Sequence, residues 1–239
     1  NDYIDEKNEE MIGALAGLVR IPSVKEPPLP GMPYGKPVNE ALEYTLALGR
    51  ALGFQPENLD GHMALVDYGE GEETLGIMTH LDVVPAGGGW YHGPFSAHIA
   101  GGRMYGRGTT DDKGAVISAL YALAAVKERG IGLKRRVRFM AGCDEESGWA
   151  DMDYYKRHRP MPDLAFSPDC EYPVINAEKG VLHLDISKKF SAKPGEDGLK
   201  VLSFRGGSRV NMVPDHAEAV VSGGDGAALT ADSLVPALP

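Results

Sequence analysis

Residues 103–129 read RMYGRGTTDDKGAVISALYALAAVKER, and this stretch decides the fold class. It begins with a short strand, passes through a glycine-rich turn and continues into a helix that we predict from Lys113 to about Arg129. The helix has one apolar face, made of Ala115, Ile117, Ala119, Leu120, Ala122, Leu123 and Val126. A strand that turns directly into such a helix is typical of α/β proteins.

Two adjacent aspartates, Asp111 and Asp112, precede this helix. Aspartate is favoured at a helix N-terminus because its carboxylate accepts hydrogen bonds from free N–H groups and interacts well with the helix dipole. One aspartate would be enough for that purpose. A carboxylate can also bridge a pair of cations through its two oxygens, and the preceding glycines let the backbone fold tightly around it. Capping and metal binding therefore both stay open for this pair.

A histidine and an aspartate follow a second apolar run. Residues 75–79 (LGIMT) predict a buried strand that continues through His80 to Asp82. Side chains two positions apart share a face of a strand, so His80 and Asp82 can act together. The imidazole would bind a metal through one nitrogen, while the carboxylate accepts the proton on the other or lies just behind it. The alternative is a strand-end histidine that simply pairs with a nearby aspartate.

Acidic residues follow two further predicted strands. The strand over residues 136–142 leads into DEESG at 144–148. One carboxylate of this run could bind a metal while its neighbour acts as a general base for water; the alternative is a solvated acidic loop. Asp169 follows the apolar residues 163–166, and here the alternative is a turn aspartate after Ser-Pro.

Four motifs occur in the order and with the spacing of a known family. They are MTHLDVVPAG (78–87), GRMYGRGTTDDKG (102–114), CDEESG (143–148) and SPDCEYPVINAEKG (167–180). Together they resemble the co-catalytic zinc metallopeptidases, which include aminoacylase, glutamate carboxypeptidase, carnosinase and the bacterial dipeptidases. The resemblance spans residues 10–215, and within the family the motifs are most similar to the bacterial dipeptidase V (Xaa-His dipeptidase-like) type.

The resemblance implies two divalent metal ions, with zinc as the first choice and cobalt or manganese left open. His80 and Asp169 match ligands of the first metal, and Glu146 matches a ligand of the second. Asp111 matches the bridging ligand, because the bridging position of the family precedes a variable residue and Lys-Gly. The family also places a cis peptide after this aspartate, which implies one between Asp111 and Asp112.

Three further residues match positions that act in catalysis. Asp82 would orient His80, Glu145 would act as the general base, and Asn211 in RVNMVPD would help to polarise the substrate carbonyl from the lid. The implied reaction is hydrolysis of the amide bond of dipeptides by an activated water. Cleavage of N-acyl amino acids by the same chemistry, as in a deacylase or carboxypeptidase, is one alternative. A non-catalytic binding module is the other.

One ligand that the resemblance implies has no counterpart here. Relatives draw a further ligand of the second metal from a histidine near the C-terminus of a much longer chain. The last histidine of this sequence is His216, in VPDHAEAVV, which resembles a lid strand. We therefore expect an N-terminal portion of a longer protein, with an unfinished second metal site and poor activity in isolation.

Helices and strands alternate along most of the chain. Amphipathic helices are predicted over residues 6–19 and 39–52, on either side of a proline-rich loop over 22–37. With strands over 63–68 and 75–79, this alternation predicts a mixed-sheet α/β/α sandwich.

Two domains are expected. Residues 1–182 would form the N-terminal part of the catalytic domain, and residues 183–239 would begin a partial α+β lid domain that is truncated here. The division rests on a change to strands alone, which we predict over residues 182–187, 199–204 and 217–222.

Composition restricts the partners. The chain has 239 residues, enough for one large domain and part of another. Its 34 acidic and 24 basic residues give a net charge of −10, which disfavours nucleic acid and anionic membranes. The family resemblance implies a small peptide as the partner. The oligomeric state stays open. Because neither a membrane-length apolar stretch nor a signal-like segment is found, the cytoplasm is expected. Cys143 and Cys170 are expected to be buried free thiols near the site.

Overall fold

A computed structural model gives the structure of the chain. It describes residues 2–170, 175–177, 179–180, 182, 184–187, 200–207, 213–214 and 216–222. The chain divides into two compact units, Asn1–Asn176 and Ala177–Pro239.

The helices of the first unit agree largely with the predicted ones. They are α1 Asp2–Glu6, α2 Asn8–Val19, α3 Lys36–Ala51, α4 Lys113–Glu128 and α5 Ala150–His158, with a 3₁₀ turn at Glu145–Ser147. Helix α3 begins three residues earlier than predicted, because Gly35 takes a positive φ of 88° and Pro37 fits the first turn. None of the helices within the described residues has the length and apolar character that a membrane crossing requires.

A five-stranded mixed sheet forms the centre of the first unit. Its strands, in spatial order, are β1 Glu57–Leu59, β2 Met63–Tyr68, β6 Arg136–Gly142, β3 Thr74–His80 and β7 Leu164–Phe166. Strand β3 runs parallel to both β6 and β7, whereas β2 is antiparallel to β6. A separate hairpin joins β4 His98–Ala100 to β5 Arg103–Tyr105. The predicted mixed-sheet sandwich is confirmed.

Side-chain alternation along β2 and β6 divides the core between the two faces of the sheet. On one face, Phe139 and Ala141 join a buried cluster with residues of α2, α3 and α4. On the other face, Met140 packs with Met152 and Tyr155 of α5. Because successive residues of a strand point to opposite faces, the sheet is covered on both sides. Helix α5 was not predicted, since its sequence ADMDYYKRH is mostly polar.

Strand register brings the sequence motifs to one edge of the sheet. His80 lies opposite Gly142, so the end of β3 is level with the start of the acidic run after β6. Ile77 of β3 lies opposite Phe166 of β7, and His80 and Asp169 each follow three residues later. The carboxyl ends of these parallel strands therefore present their functional residues together, as open α/β sheets generally do.

The second unit contains a two-stranded antiparallel sheet, formed by β8 Lys200–Gly206 and β9 Ala217–Ser222. Both strands were predicted to within two residues. The strand predicted over 182–187 is wrong for the residues described there, since 182 and 184–187 have no regular secondary structure. Hydrophobicity alone is a weak indicator for such a short run, because a ladder partner decides whether a strand forms.

Candidate metal centre

His80 presents a ring nitrogen to a group of carboxylates. Its Nε2 is buried and has no hydrogen-bond partner of suitable geometry among the described residues. Oxygens of Asp111, Asp169 and Glu145 lie 3.0, 3.4 and 3.9 Å from this nitrogen. A buried imidazole nitrogen that faces several carboxylates fits a cation ligand, because nitrogen and carboxylate oxygens are the donors that such divalent metals bind. The predicted metal-ligand role of His80 is supported by this geometry.

The other ring nitrogen fixes the tautomer. Nδ1 of His80 lies 2.9 Å from the carbonyl oxygen of Asp82 and 3.5 Å from its carboxylate. Because a carbonyl oxygen can only accept, Nδ1 carries the proton in the neutral ring and Nε2 keeps its lone pair. The backbone carbonyl of Asp82 therefore orients the His80 ring. The Asp82 carboxylate, which was expected to do so, lies further from Nδ1.

The charge state of His80 depends strongly on its neighbours. Burial alone would lower its pKa, but the surrounding Asp111, Asp169 and Asp82 raise the pKa well above the ordinary value for histidine. Without a metal, the imidazole therefore holds a second proton. A cation would displace that proton, because only the neutral ring can bind it.

Two sets of potential ligands meet at His80. Within each set the ligand atoms lie within 4.8 Å of one another: His80 with Asp111 and Glu146, and His80 with Asp112 and Asp169. One nitrogen and several carboxylate oxygens suit zinc, cobalt and manganese. The chemistry of the donors thus fits a pair of divalent cations. The grouping differs in two respects from the predicted one, which paired Asp111 rather than Asp112 with Asp169 and placed Glu146 with Asp111 but without His80.

Asp112 is held more rigidly than Asp111. Its side chain is fully buried, and Oδ2 accepts a hydrogen bond of 2.9 Å from the backbone N–H of His80. Its Oδ1 has no partner among the described residues. Burial raises the pKa of Asp112 to about 7. The Asp111 side chain is instead 54% exposed, and its pKa is lowered, chiefly by His80. The peptide bond between the two aspartates is cis, as predicted.

The carboxylate of Asp82 fixes the acidic turn. Its two oxygens accept hydrogen bonds of 3.1 Å each from the backbone N–H groups of Glu145 and Glu146. The Asp82 side chain is only 1% exposed, so these bonds are protected from water. A carboxylate with both oxygens engaged in this way sets the position of the whole turn. The sequence suggested a partner for His80, but it gave no sign of this second contact.

Asp82→Asn is expected to lower kcat by about 10- to 100-fold, the usual effect of changing a group that orients metal ligands. The amide would turn an NH₂ group towards one of the two backbone N–H donors. Asp67→Asn is a matched control, because Asp67 pairs with Arg138 four residues from the site end of β6. Steady-state kinetics on both variants would measure the effect, and equal losses in kcat would contradict a specific role for Asp82.

Glu145 lies beside the ligand sets with one oxygen held. Its Oε1 accepts a hydrogen bond of 3.2 Å from the indole N–H of Trp149. Its Oε2 is the oxygen that lies 3.9 Å from Nε2 of His80. Burial raises the pKa of Glu145 above its ordinary value. A carboxylate close to the ligands and with a raised pKa is suited to accept and return a proton. Trp149 was not anticipated from the sequence.

Glu146 has a pKa raised to about 7, first by burial and then by the charge of Asp111. Since this pKa lies above the ordinary value, the carboxyl is protonated at pH 6 and ionised at pH 8. Cation binding requires the ionised form, so filling both sites should release more protons at pH 6 than at pH 8. Calorimetry in buffers of different ionisation enthalpy counts these protons. Glu146→Gln should reduce the difference, and equal release at both pH values would contradict the ligand role.

The remaining predicted residues have mixed outcomes. Asn211 lies outside the described residues. His216 directly precedes β9, in the second unit. Cys143 is a buried free thiol, as predicted, and burial raises its pKa. The prediction was wrong for Cys170, which is free but exposed, because it follows the exposed edge strand β7.

Comparison with known proteins gives the family. Residues 76–230 match the sequence profile of the peptidase family M20/M25/M40. The chain belongs to this family. The resemblance inferred from the four motifs is therefore confirmed at the level of the family.

Two bacterial relatives and one solved structure illustrate the similarity of this M20 chain to others. YtjP of Bacillus subtilis strain 168, provisionally named a dipeptidase, is 43% identical over 91% of this chain and 47% of its own length. The β-Ala-Xaa dipeptidase of Lactobacillus delbrueckii subsp. lactis is 41% identical over 81% of this chain and 41% of its own. Human carnosine dipeptidase 1 has a similar fold, with a TM-score of 0.55 and 24% identity over 65% of this chain and 36% of that one. The chain thus spans a little under half the length of the two bacterial relatives.

Proposed function

We propose that the protein is a metal-dependent dipeptidase that hydrolyses the amide bond of dipeptides. The observation that carries the proposal is the buried Nε2 of His80, which faces carboxylate oxygens of Asp111, Asp169 and Glu145 within 4 Å. Membership of the M20 family and the relatives named as dipeptidases support the same conclusion.

His80, Asp111 and Asp169 would hold the first cation, and Asp111 with Glu146 would hold the second. Asp111 suits the bridge because its carboxylate is accessible, whereas one oxygen of Asp112 is already bonded to the backbone. Two divalent cations, when bound, lower the pKa of a shared water and polarise the scissile carbonyl. We propose zinc as the native metal.

Glu145 is the residue that moves protons in this proposal. Its Oε2 would take the proton of the attacking water and return it to the leaving amine. The indole of Trp149 holds the other oxygen, so that Oε2 points towards the ligand cluster. The raised pKa of Glu145 favours return of the proton near neutral pH.

The lid and the compartment are further parts of the proposal. Residues 183–239 would begin the lid domain, from which Asn211 would help to polarise the substrate carbonyl. A further ligand of the second cation would come from outside the described residues. The two free cysteines agree with a reducing compartment such as the cytoplasm.

A substrate panel tests the activity. The full-length protein that contains these residues, loaded with Zn²⁺, would be given dipeptides, tripeptides and N-acetyl amino acids of matched side chains. We expect efficient cleavage of the dipeptides only. Efficient tripeptide cleavage would contradict the proposal, and a strict preference for N-acetyl substrates would favour a deacylase.

A further inference from the structure

Residues 18–25, LVRIPSVK, make polar contacts with three of the four segments that carry the ligands, those of His80, Asp111 and Glu146. This segment leads out of helix α2 into the proline-rich loop. It contributes no ligand to either set at His80. Its contacts are nevertheless with residues that lie within three positions of the ligands in the sequence.

The first contact is with the start of α4. The Lys113 side chain is fully buried, and its ammonium group donates hydrogen bonds of 3.2 and 2.7 Å to the carbonyl oxygens of Leu18 and Ile21. Lys113 directly follows the two aspartates. The end of α2 is therefore attached to the point where Asp111 and Asp112 enter the site.

The second contact brackets Asp82. The hydroxyl of Ser23 donates a hydrogen bond of 2.6 Å to the carbonyl oxygen of Leu81. The carbonyl oxygen of Ser23 accepts one of 3.0 Å from the backbone N–H of Val83. Ser23 is fully buried. Both neighbours of Asp82 in the sequence are thus held by one serine, which uses its side chain and its backbone.

The third contact reaches the acidic turn. The ammonium group of Lys25 lies 2.5 Å from Oδ1 of Asp144, whose side chain is only 1% exposed. The other oxygen of Asp144 accepts a hydrogen bond of 3.1 Å from the backbone N–H of Ala150, at the start of α5. Asp144 directly precedes Glu145 and Glu146, so its position decides where the turn begins.

We propose that residues 18–25 form a positioning strap that holds three of the four ligand-bearing segments in register, those of His80, Asp111 and Glu146, with Lys25 as the positioning residue for the Glu145–Glu146 turn. Lys25 acts through Asp144 and does not touch the substrate. This inference rests on the proposed dipeptidase function for its kinetic test, but not for its metal-binding test.

The experiment compares three variants of the full-length protein that contains these residues. Lys25→Met removes the charge and keeps the aliphatic stem, whereas Lys25→Arg keeps the charge. Lys127→Met is the control, because Lys127 is another partly buried lysine that links two segments, through hydrogen bonds from its ammonium to the carbonyl oxygens of Leu52 and Gly53, but it lies at the far end of α4. Lys25 is one-third exposed, so methionine can occupy its place, and the Tm of Lys25→Met measures the stability lost when the buried Asp144 loses its partner.

Lys25→Met should lower kcat by about 10- to 100-fold and weaken binding of the second Zn²⁺ by a similar factor, with KM and the first Zn²⁺ unchanged. Lys25→Arg should restore most of both. Lys127→Met should lower the Tm but leave kcat as in the unmodified protein.

If Lys25→Met binds the second Zn²⁺ with unchanged affinity, the proposed positioning role of residues 18–25 is wrong, whether or not the protein cleaves dipeptides. A rise in KM at constant kcat would also overturn it, since that result would mean direct substrate contact. If Lys127→Met loses as much kcat and Zn²⁺ affinity as Lys25→Met, the losses come from general destabilisation and the proposed role of Lys25 is wrong. If the unmodified protein binds two Zn²⁺ but cleaves no dipeptide, the proposed function fails, and the Zn²⁺ affinities of the variants still decide the inference.

Discussion

Glu145→Gln is expected to abolish dipeptide hydrolysis while leaving the metal content near normal. Glutamine has almost the same shape, but it cannot accept a proton from water at neutral pH. Loss of a general base typically lowers kcat by about 10²- to 10⁴-fold. The side-chain oxygen of glutamine can still accept the indole hydrogen bond of Trp149, so the turn should keep its shape. Steady-state kinetics and metal analysis on the same sample would measure kcat and the metal content.

Glu146→Gln is the matched control for this experiment, because the two residues are adjacent. Among the described residues, no backbone N–H donates a hydrogen bond to either side chain, so the change to glutamine removes none. Their backbone N–H groups are held in the same way by Asp82. Glu146→Gln should lose one metal ion together with activity. If Glu145→Gln also loses metal, Glu145 is a ligand and the proton-transfer role is wrong.

Asp111→Asn is expected to have the other large effect, because Asp111 is the residue proposed to serve both cations. An amide has one acceptor oxygen and no charge, so it cannot bridge two cations. We expect metal content to fall from two ions to one or none, and kcat to fall by at least about 10³-fold, in line with loss of an essential catalytic element. Inductively coupled plasma mass spectrometry and kinetics would report the two quantities.

Asp112→Asn distinguishes the two adjacent aspartates. Oδ2 of Asp112 accepts the backbone N–H of His80, and asparagine can keep that hydrogen bond. We therefore expect both metal ions to remain bound, with a kcat loss of about 10- to 100-fold. Oδ1 of Asp112 is buried without a partner among the described residues, and Asp112 also groups with His80 and Asp169. If Asp112→Asn loses metal and Asp111→Asn keeps it, the assignment must be exchanged.

The sequence predicted those helices and strands in which apolar residues recur with the period of the helix or strand. Strands β2 and β6 and helix α4 have regular apolar patterns, and their predicted bounds agree closely with the structure. Helix α5 buries little more than Met152 and Tyr155 on a polar sequence, so its pattern is too weak to detect. Strand β5 was predicted as the short strand that begins at Arg103, whereas its partner β4 was not, because three residues are too few for alternation to be informative.

The site likewise contains residues that the sequence predicted and residues that it did not. His80, Glu146 and Asp169 lie at or just after the ends of strands of the central sheet, which brings them together, whereas Asp111 lies just before α4. Ser23 and Lys25 contact partners that are 58 and 119 positions away in the sequence. Such pairs leave no local pattern, since only the completed packing makes them neighbours. The double hydrogen bond from Asp82 to the acidic turn was missed for the same reason.

Titration of the metal-free, full-length protein with Zn²⁺, while dipeptide hydrolysis is followed, tests the central claim most directly. The claim is that His80 and the surrounding carboxylates form a two-cation hydrolytic site. It predicts no hydrolysis without metal, low activity after the first equivalent and full activity only after the second. Full activity in the presence of a strong chelator, or no dipeptide hydrolysis with two equivalents bound, would contradict it.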